Sequence, residues 1–372
     1  MHPYATEGIT DTRSFRAADP LLPMRLSLIL AFALLASGCL PNSGRKVPRG
    51  LFAADSLSSA LGKEAPVDTL AVVWSTALPA GPETEFVSGV SLAPMADGRT
   101  VVIDTKSGTL HGIDSSGTYT GAFADGFGFP YPAGRRGDTL ALLEREGPAL
   151  ALVDVPTGRT LRRVALPEVE NTAAWLGADA VYLKSTDEDE GARLQRLTLD
   201  GTPAASYALS GPWWRHLGYL RAWGDSLVSL SGYRPVLDRL PIGAPDGTTA
   251  DSLYLMGFDS PQLERSRQFS VGAVDEPPLL SSAAVGVGPH LYVLNLRTGG
   301  LRIDVFGRDG RIVRALTAPN VGASRDRFLM DLDARYGPDG SVELAVLQQR
   351  PEVRLTLYRV PGSPIALGPA AE

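Results

Sequence analysis

From Val67 onward the chain alternates short apolar runs with two-residue turns. The clearest stretch is Thr100-Val101-Val102-Ile103-Asp104, then Thr109-Leu110-His111-Gly112-Ile113-Asp114, then Thr118-Tyr119-Thr120-Gly121-Ala122-Phe123. Ser107-Gly108 and Ser116-Gly117 separate these runs, and glycine accepts the positive φ that tight hairpin turns demand. Three consecutive antiparallel strands are predicted. The pattern repeats at 140–143, 149–154 and 160–164, and again at 181–183, 194–199 and 204–207. A fourth unit opens at 227–230, and 253–256 and 266–269 are expected to complete it after an insertion, 232–250. Strands at 291–294, 301–305 and 312–316 make a fifth unit, and those at 342–346 and 354–358 a sixth.

Corresponding strands recur roughly every 40 to 60 residues, the period of four-stranded propeller blades. A repeat of this kind buries its apolar faces only against its neighbours, so the ring has to close. The sixth unit ends at Pro361-Gly362-Ser363-Pro364 before an outer strand, while Thr69-Leu70-Ala71-Val72-Val73-Trp74-Ser75 stands alone upstream of the first unit. The reading is therefore an all-β, six-bladed β-propeller whose N-terminal strand is the outer strand of the last blade. A pair of β-sandwiches would carry similar turns. Innermost strands are expected near 87–92, 129–133, 172–176, 215–222, 279–284 and 328–333.

The form strand-Asp-x-x-x-Gly-x-Leu-x-x-Ile-Asp-x-x-Gly at 101–117, with shorter versions at 151–158 and 302–310, resembles six-bladed propellers of the NHL and TolB-like type. The likeness covers about 67–360, and a propeller fold of itself carries no activity.

Upstream, the run Leu26–Leu35 is too short to span a bilayer, which takes about 20 residues, and has the length of a signal-peptide core. It is followed by Ala36-Ser37-Gly38-Cys39, and Cys39 is the chain's one cysteine. This resembles the lipobox of bacterial lipoprotein signal peptides, although Ala36 stands where leucine is commoner. The resemblance implies cleavage before Cys39, lipidation of its thiol and a membrane-surface address. Leu40 at the next position points to the outer membrane of the cell envelope. Met24-Arg25 suits the start of such a peptide better than the acidic, proline-bearing residues before it. The expected organisation is a signal peptide at 1–38, a lipidated tether at 39–66, a propeller at 67–361 and a tail at 362–372.

Composition narrows the function. With 35 Lys plus Arg against 41 Asp plus Glu and no basic run, the chain lacks the stripe that a nucleic-acid partner requires. An acylated Cys39 leaves no thiol for a disulfide. After the signal peptide the histidines are His111, His216 and His290, with no G-x-S-x-G elbow, no H-E-x-x-H and no phosphate-binding loop. No cofactor or metal is expected. Asp187-Glu188-Asp189-Glu190 lacks the alternating spacing and glycine of a calcium loop and reads as a hairpin tip.

The notable cluster is Trp213-Trp214-Arg215-His216, which suits either an interface hot spot or packing between blades. In the last unit, Arg325-Asp326-Arg327 precedes Asp331 and Asp333, which period two puts on one strand face. They offer either ligand contacts or structural pairing. Trp213, Trp214, Arg215, His216, Arg327, Asp331 and Asp333 are the candidate binding residues. The favoured function is a membrane-tethered, non-enzymatic scaffold for a protein, peptide or glycan partner. The alternative is a metal-dependent hydrolase of the propeller lactonase type. That class relies on Glu, Asn and Asp ligands at the axis, and the asparagines of the propeller segment are Asn171, Asn295 and Asn320.

Overall fold

Asp104 and Asp114 show what the repeated aspartate-to-glycine turns do. The Asp104 Oδ1 accepts the N–H groups of Lys106 and Ser107 at 3.0 and 3.2 Å. Asp114 accepts the Ser116 hydroxyl and the Thr118 N–H at 2.6 and 2.8 Å, bonds that hold its carboxyl below the usual range. Each aspartate thus forms the turn that reverses the chain. The motif is structural, and so is the acidic run, where Asp187 accepts the N–H groups of Asp189 and Glu190, both at 2.8 Å.

The computed structural model describes residues 55–79, 89–167, 171–319, 321 and 328–362. The signal-peptide run, Cys39, Asn320 and Arg325-Asp326-Arg327 lie outside the described residues. A helix, α1 (Asp55–Glu64), leads to β1 (Val67–Thr69) and β2 (Ala71–Ala77). Blade one is β3 (Gly89–Pro94), β4 (Thr100–Asp104), β5 (Thr109–Ile113) and β6 (Tyr119–Ala124). Blade two is β7 (Pro130–Arg136), β8 (Thr139–Glu144), β9 (Ala149–Asp154) and β10 (Arg159–Ala165). Blade three is β11 (Asn171–Leu176), β12 (Ala180–Asp187), β13 (Gly191–Thr198) and β14 (Pro203–Leu209). Blade four is β15 (Leu220–Trp223), β16 (Ser226–Leu230), β17 (Val236–Pro241) and β18 (Asp251–Tyr254), followed by helix α2 (Leu263–Ser270). Blade five is β19 (Ser281–Val287), β20 (His290–Asn295), β21 (Gly300–Phe306) and β22 (Ile312–Pro319). Blade six begins with β23 (Phe328–Tyr336), β24 (Val342–Arg350) and β25 (Arg354–Arg359).

The strands given for each blade pair antiparallel in chain order, and β2 completes blade six by pairing with β25, Ala71 opposite Arg359 and Ala77 opposite Arg354. The first strands contact one another in cyclic order, β3 to β7 to β11 to β15 to β19 to β23 and back to β3. The six-bladed ring and its N-terminal closing strand are therefore as expected.

The closing strand is locked by Trp74 against Gly117. That glycine has φ +91°, and a Cβ there would meet the indole at 2.7 Å, so only glycine satisfies both the turn and the seam.

The core is a set of layers between blades. In β8, Leu140 and Leu142 pack with blade one, while Ala141 and Leu143 pack with blade three. A middle strand buried on both faces reads as an unbroken apolar run, not an alternation.

Two expectations need correction. In blade four the third strand is β17, which lies inside the expected insertion, and the fourth is β18. Residues 266–269 belong to α2 and form no strand. Pro235 and Pro241 bracket β17 and mimic a loop, yet Val236, Leu237 and Leu240 are buried. Second, the tether expected over 39–66 is ordered in its last part. Leu61 of α1 and Ala65 just after it pack on the layer between blades four and five, and β1 pairs in parallel with β22 as a fifth strand of blade five.

Candidate functional site

Loops leading into the first strands, together with the turns between second and third strands, form one face of the ring. A cavity of about 350 Å³ opens there, with all six blades contributing. Its floor carries small polar groups, Ser91, Thr172, Ser281 and Ser282. Its walls are Tyr131, Tyr219, Tyr233, Phe328 and Met330. Its two cations are Arg145 and Arg221, and no carboxylate lines it.

Blade two builds one wall. Glu144, buried at the end of β8, accepts the Gly128 N–H at 2.9 Å and holds Arg163 at 2.6 and 3.0 Å. This fixes the loop in which Phe129 takes φ 52°, a left-handed conformation uncommon for a bulky residue and a local strain. Phe129 stays exposed and tilts against Tyr131, ring centroids 5.9 Å apart. The Arg145 guanidinium lies 4.0 Å above the Tyr131 ring and donates to the Thr172 carbonyl.

Blade four builds another wall. Arg221 lies 5.2 Å from the Tyr219 ring and donates to the Leu220 carbonyl at 3.1 Å. Behind it Lys184 is wholly buried, donating to the carbonyls of Gly218 and Tyr219 and to the Ser229 hydroxyl at 2.9, 3.4 and 3.3 Å. Burial first, then Arg221 and Arg145, bring its pKa down to about 7 against the pull of Asp238. The Tyr219 hydroxyl, donating to the Met330 carbonyl at 3.4 Å, is pushed up by burial and Asp331.

The cavity shares Pro132 and Arg221 with a smaller one of about 190 Å³, which shares Arg135 and Val285 with a third of about 430 Å³. Together they trace the axis. Arg135 of β7 pairs with Asp333 of β23 at 3.0 Å and donates to the Ala334 carbonyl. That pair bridges blades two and six across the front of blade one.

The sequence candidates fall elsewhere. Trp213 to His216 form a 3-10 turn before β15, so Arg215 and His216 are not on the inner strand as expected. Arg215 is buried, donating to Asp238 and to the Ser210 carbonyl at 2.7 and 2.6 Å. His216 is at 3.4 Å from the same carboxylate, and burial and Arg215 hold its pKa near about 3. Trp214 is half-buried between Arg234, 4.5 Å above it, and the edge of Phe269. Asp331 accepts the Leu92 N–H at 2.9 Å across the seam between blades six and one, while Asp333 pairs with Arg135. The two share a strand face but do not converge on one point. Asn171 and Asn295 bond to the Pro167 carbonyl and to Asp304, away from each other. Among the described residues, no group of three His, Cys, Asp or Glu is placed to hold a metal ion.

Most of the lining falls in the segments expected to be innermost, but the two arginines were not singled out in the sequence. Arg221 lies within the expected innermost segment of blade four but was overshadowed by Arg215 and His216. Arg145 sits in a turn, where arginine is ordinary.

No family model matches the chain, and no curated protein matches it. Solved structures of similar shape include virginiamycin B lyase from Staphylococcus aureus (9% identity, TM-score 0.46, 77% of this chain and 98% of that one). Another is BamB from Moraxella catarrhalis (15%, 0.41, 79% and 98%). A third is the calcium-binding protein regucalcin from Agrobacterium tumefaciens (16%, 0.47, 80% and 97%). At such identities no chemistry carries over from them.

Proposed function

We propose that this is an exported lipoprotein, anchored through Cys39 in the outer membrane of the cell envelope, whose propeller binds a protein, peptide or glycan partner at the loop face. The observation that carries the binding half is the cavity to which every blade contributes, with an aromatic rim and two arginines. Concave, largely apolar sites with a few convergent polar groups are where ligands bind. The half-buried Trp213 and Trp214 extend that face on blade four. The arrangement favours binding over hydrolysis, since His111 is bonded to Tyr119 and His216 to Asp238, each committed within its blade. The anchoring half rests on the position of Cys39 after Gly38 and the apolar run.

A photo-crosslinker placed at Phe129 in the living cell should trap one discrete adduct that Arg145→Ala removes. The same group at Leu161, exposed on the outer strand of blade two, should trap none. Equal labelling at both sites, or none at either, refutes the face assignment. Cys39→Ser should abolish lipid labelling and release the protein from the membrane fraction, and retention refutes the anchor.

A further inference from the structure

Within that reading, the chemistry of the cavity selects its ligand. Arg221 forms no ion pair among the described residues. The nearby carboxylate of Asp331 directs its two oxygens at the N–H groups of Leu92 and Leu332, both at 2.9 Å. Arg221 gives an Nη1 N–H to the Leu220 carbonyl and its guanidinium lies 5.2 Å from the Tyr219 ring, which leaves the Nε and Nη2 donors, one side of the guanidinium, for a ligand. A partly buried guanidinium that forms no ion pair is costly, and an incoming anion reduces that cost. Arg145, on blade two, adds a second positive charge, oriented by Tyr131 and the Thr172 carbonyl.

A second observation is independent of the arginines. Ser282 lines the same cavity, and its hydroxyl is buried with no hydrogen-bond partner among the described residues. Buried polar groups are normally paired, so this hydroxyl is a donor awaiting an acceptor. The rings of Tyr131, Tyr219 and Phe328 then supply an apolar wall.

We infer that the cavity binds a carboxylate carried on an apolar body, the carboxylate on the Arg221 fork beside the Ser282 hydroxyl and the body against the tyrosines. Guanidinium and carboxylate match edge to edge in two parallel hydrogen bonds. A volume of about 350 Å³ suits a small organic acid or the last one or two residues of a peptide. Both sources present the same chemistry. The inference rests on the binding reading above but is separable from it.

The test is ligand-observed NMR on the full-length protein in detergent with five probes. These are 3-phenylpropionate, 3-phenylpropanol, the peptide Ala-Leu-Phe as free acid, its C-terminal amide, and inorganic phosphate. At least one of the two acids should bind, about tenfold or more tighter than its uncharged counterpart. Binding by the small acid alone identifies a free organic acid, and tighter binding by the peptide identifies a chain terminus. Arg221→Gln should weaken acid binding about tenfold or more, and Arg221→Lys by less. Arg193→Gln, on the exposed hairpin of blade three, should change nothing. The acid-to-neutral comparison on the unmodified protein stands even where a variant does not fold.

Equal binding of acids and neutral counterparts overturns the inference. So does phosphate binding as tightly as the acids, acid affinity unchanged in Arg221→Gln, or no acid binding at about 10 mM. A crosslink at Phe129 together with such a result would leave the partner reading standing without the carboxylate. Acid binding without a crosslink would do the reverse.

Discussion

Lys184 in blade three and Asp331 in blade six are both fully buried, and their pKa values are displaced in opposite directions. Burial, opposed by Arg221, raises Asp331 to about 7, and burial, opposed by Asp238, lowers Lys184 to about 7. A carboxyl raised above its unfolded value stabilises the fold fully below about 3.8, and that contribution is lost as pH rises through about 7. An amine lowered from 10.5 stabilises fully above that value, and its contribution is lost as pH falls through about 7. The two slopes meet, so together they put a shallow stability minimum near neutrality. Melting temperatures measured at about pH 5, 7 and 9.5 check this. Asp331→Asn, which cannot ionise, should lie furthest below the unmodified protein at the acid end and approach it as pH rises. Lys184→Met should compare best near neutrality and lose ground in alkali. Differences that stay constant across the range would show that neither group titrates in the fold. The same ionisation bears on the cavity, because a neutral Asp331 no longer offsets Arg221, so acid binding should strengthen as pH falls from about 8 to about 6.

Among the elements, the N-terminal segment does more than close the ring. Before β2 enters blade six, Ala315 donates its N–H to the Pro66 carbonyl at 2.8 Å and Leu70 donates to the Thr317 carbonyl at 2.9 Å. Arg314 pairs with Asp68 at 3.2 Å, and Gly257 donates to the Ser58 hydroxyl at 2.9 Å. Gly62 comes so near Gly257 that a Cβ would lie 2.7 Å from its carbonyl oxygen. One continuous segment therefore clasps blades four, five and six. Removing residues through Ala65 deletes Leu61 and α1 and should cost on the order of 2 kcal/mol, a few degrees of melting temperature. Removing residues through Ala77 also deletes β2 and should cost far more. A through-Ala65 truncation that melts like the full chain would show the clasp to be idle. Most strands were legible because an Asp-Gly or Ser-Gly turn follows each run and both faces of the middle strands are apolar. Blade four was not, because two prolines flank β17 and the polar run Glu264 to Gln268 gave no helical stripe. The β1 part of the clasp was invisible because its three residues carry no periodicity.

At the scale of the whole ring, stability comes from six interblade layers and the closing strand, with hydrogen-bonded ion pairs at the axis. Propeller topology was readable because it depends on recurrence, and with it the inner segments of the cavity, whereas the side chains that converge there were not, because the lining gathers single residues from segments far apart in sequence. Ser91 and Met330, for example, meet there only once blade six returns to blade one. What the axis holds distinguishes the scaffold from the hydrolase. An axial divalent ion would need several oxygen or nitrogen ligands at short range. Here Asp333 faces Arg135, Asp331 faces backbone N–H groups, and Arg221 adds positive charge beside both. A cation entering that space would have to displace Arg135 and oppose Arg221, so calcium should not raise the melting temperature. An anion should, by RT ln(1 + [L]/Kd). Melting curves with excess chelator, with about 5 mM calcium or zinc, and with about 10 mM 3-phenylpropionate separate the two. The expected result is overlap of the first three with the untreated curve and an upward shift in the fourth that Arg221→Gln removes. A rise of several degrees with calcium that Asp333→Asn abolishes would instead mean that the Arg135 pair opens to a metal, and the hydrolase reading would replace the scaffold.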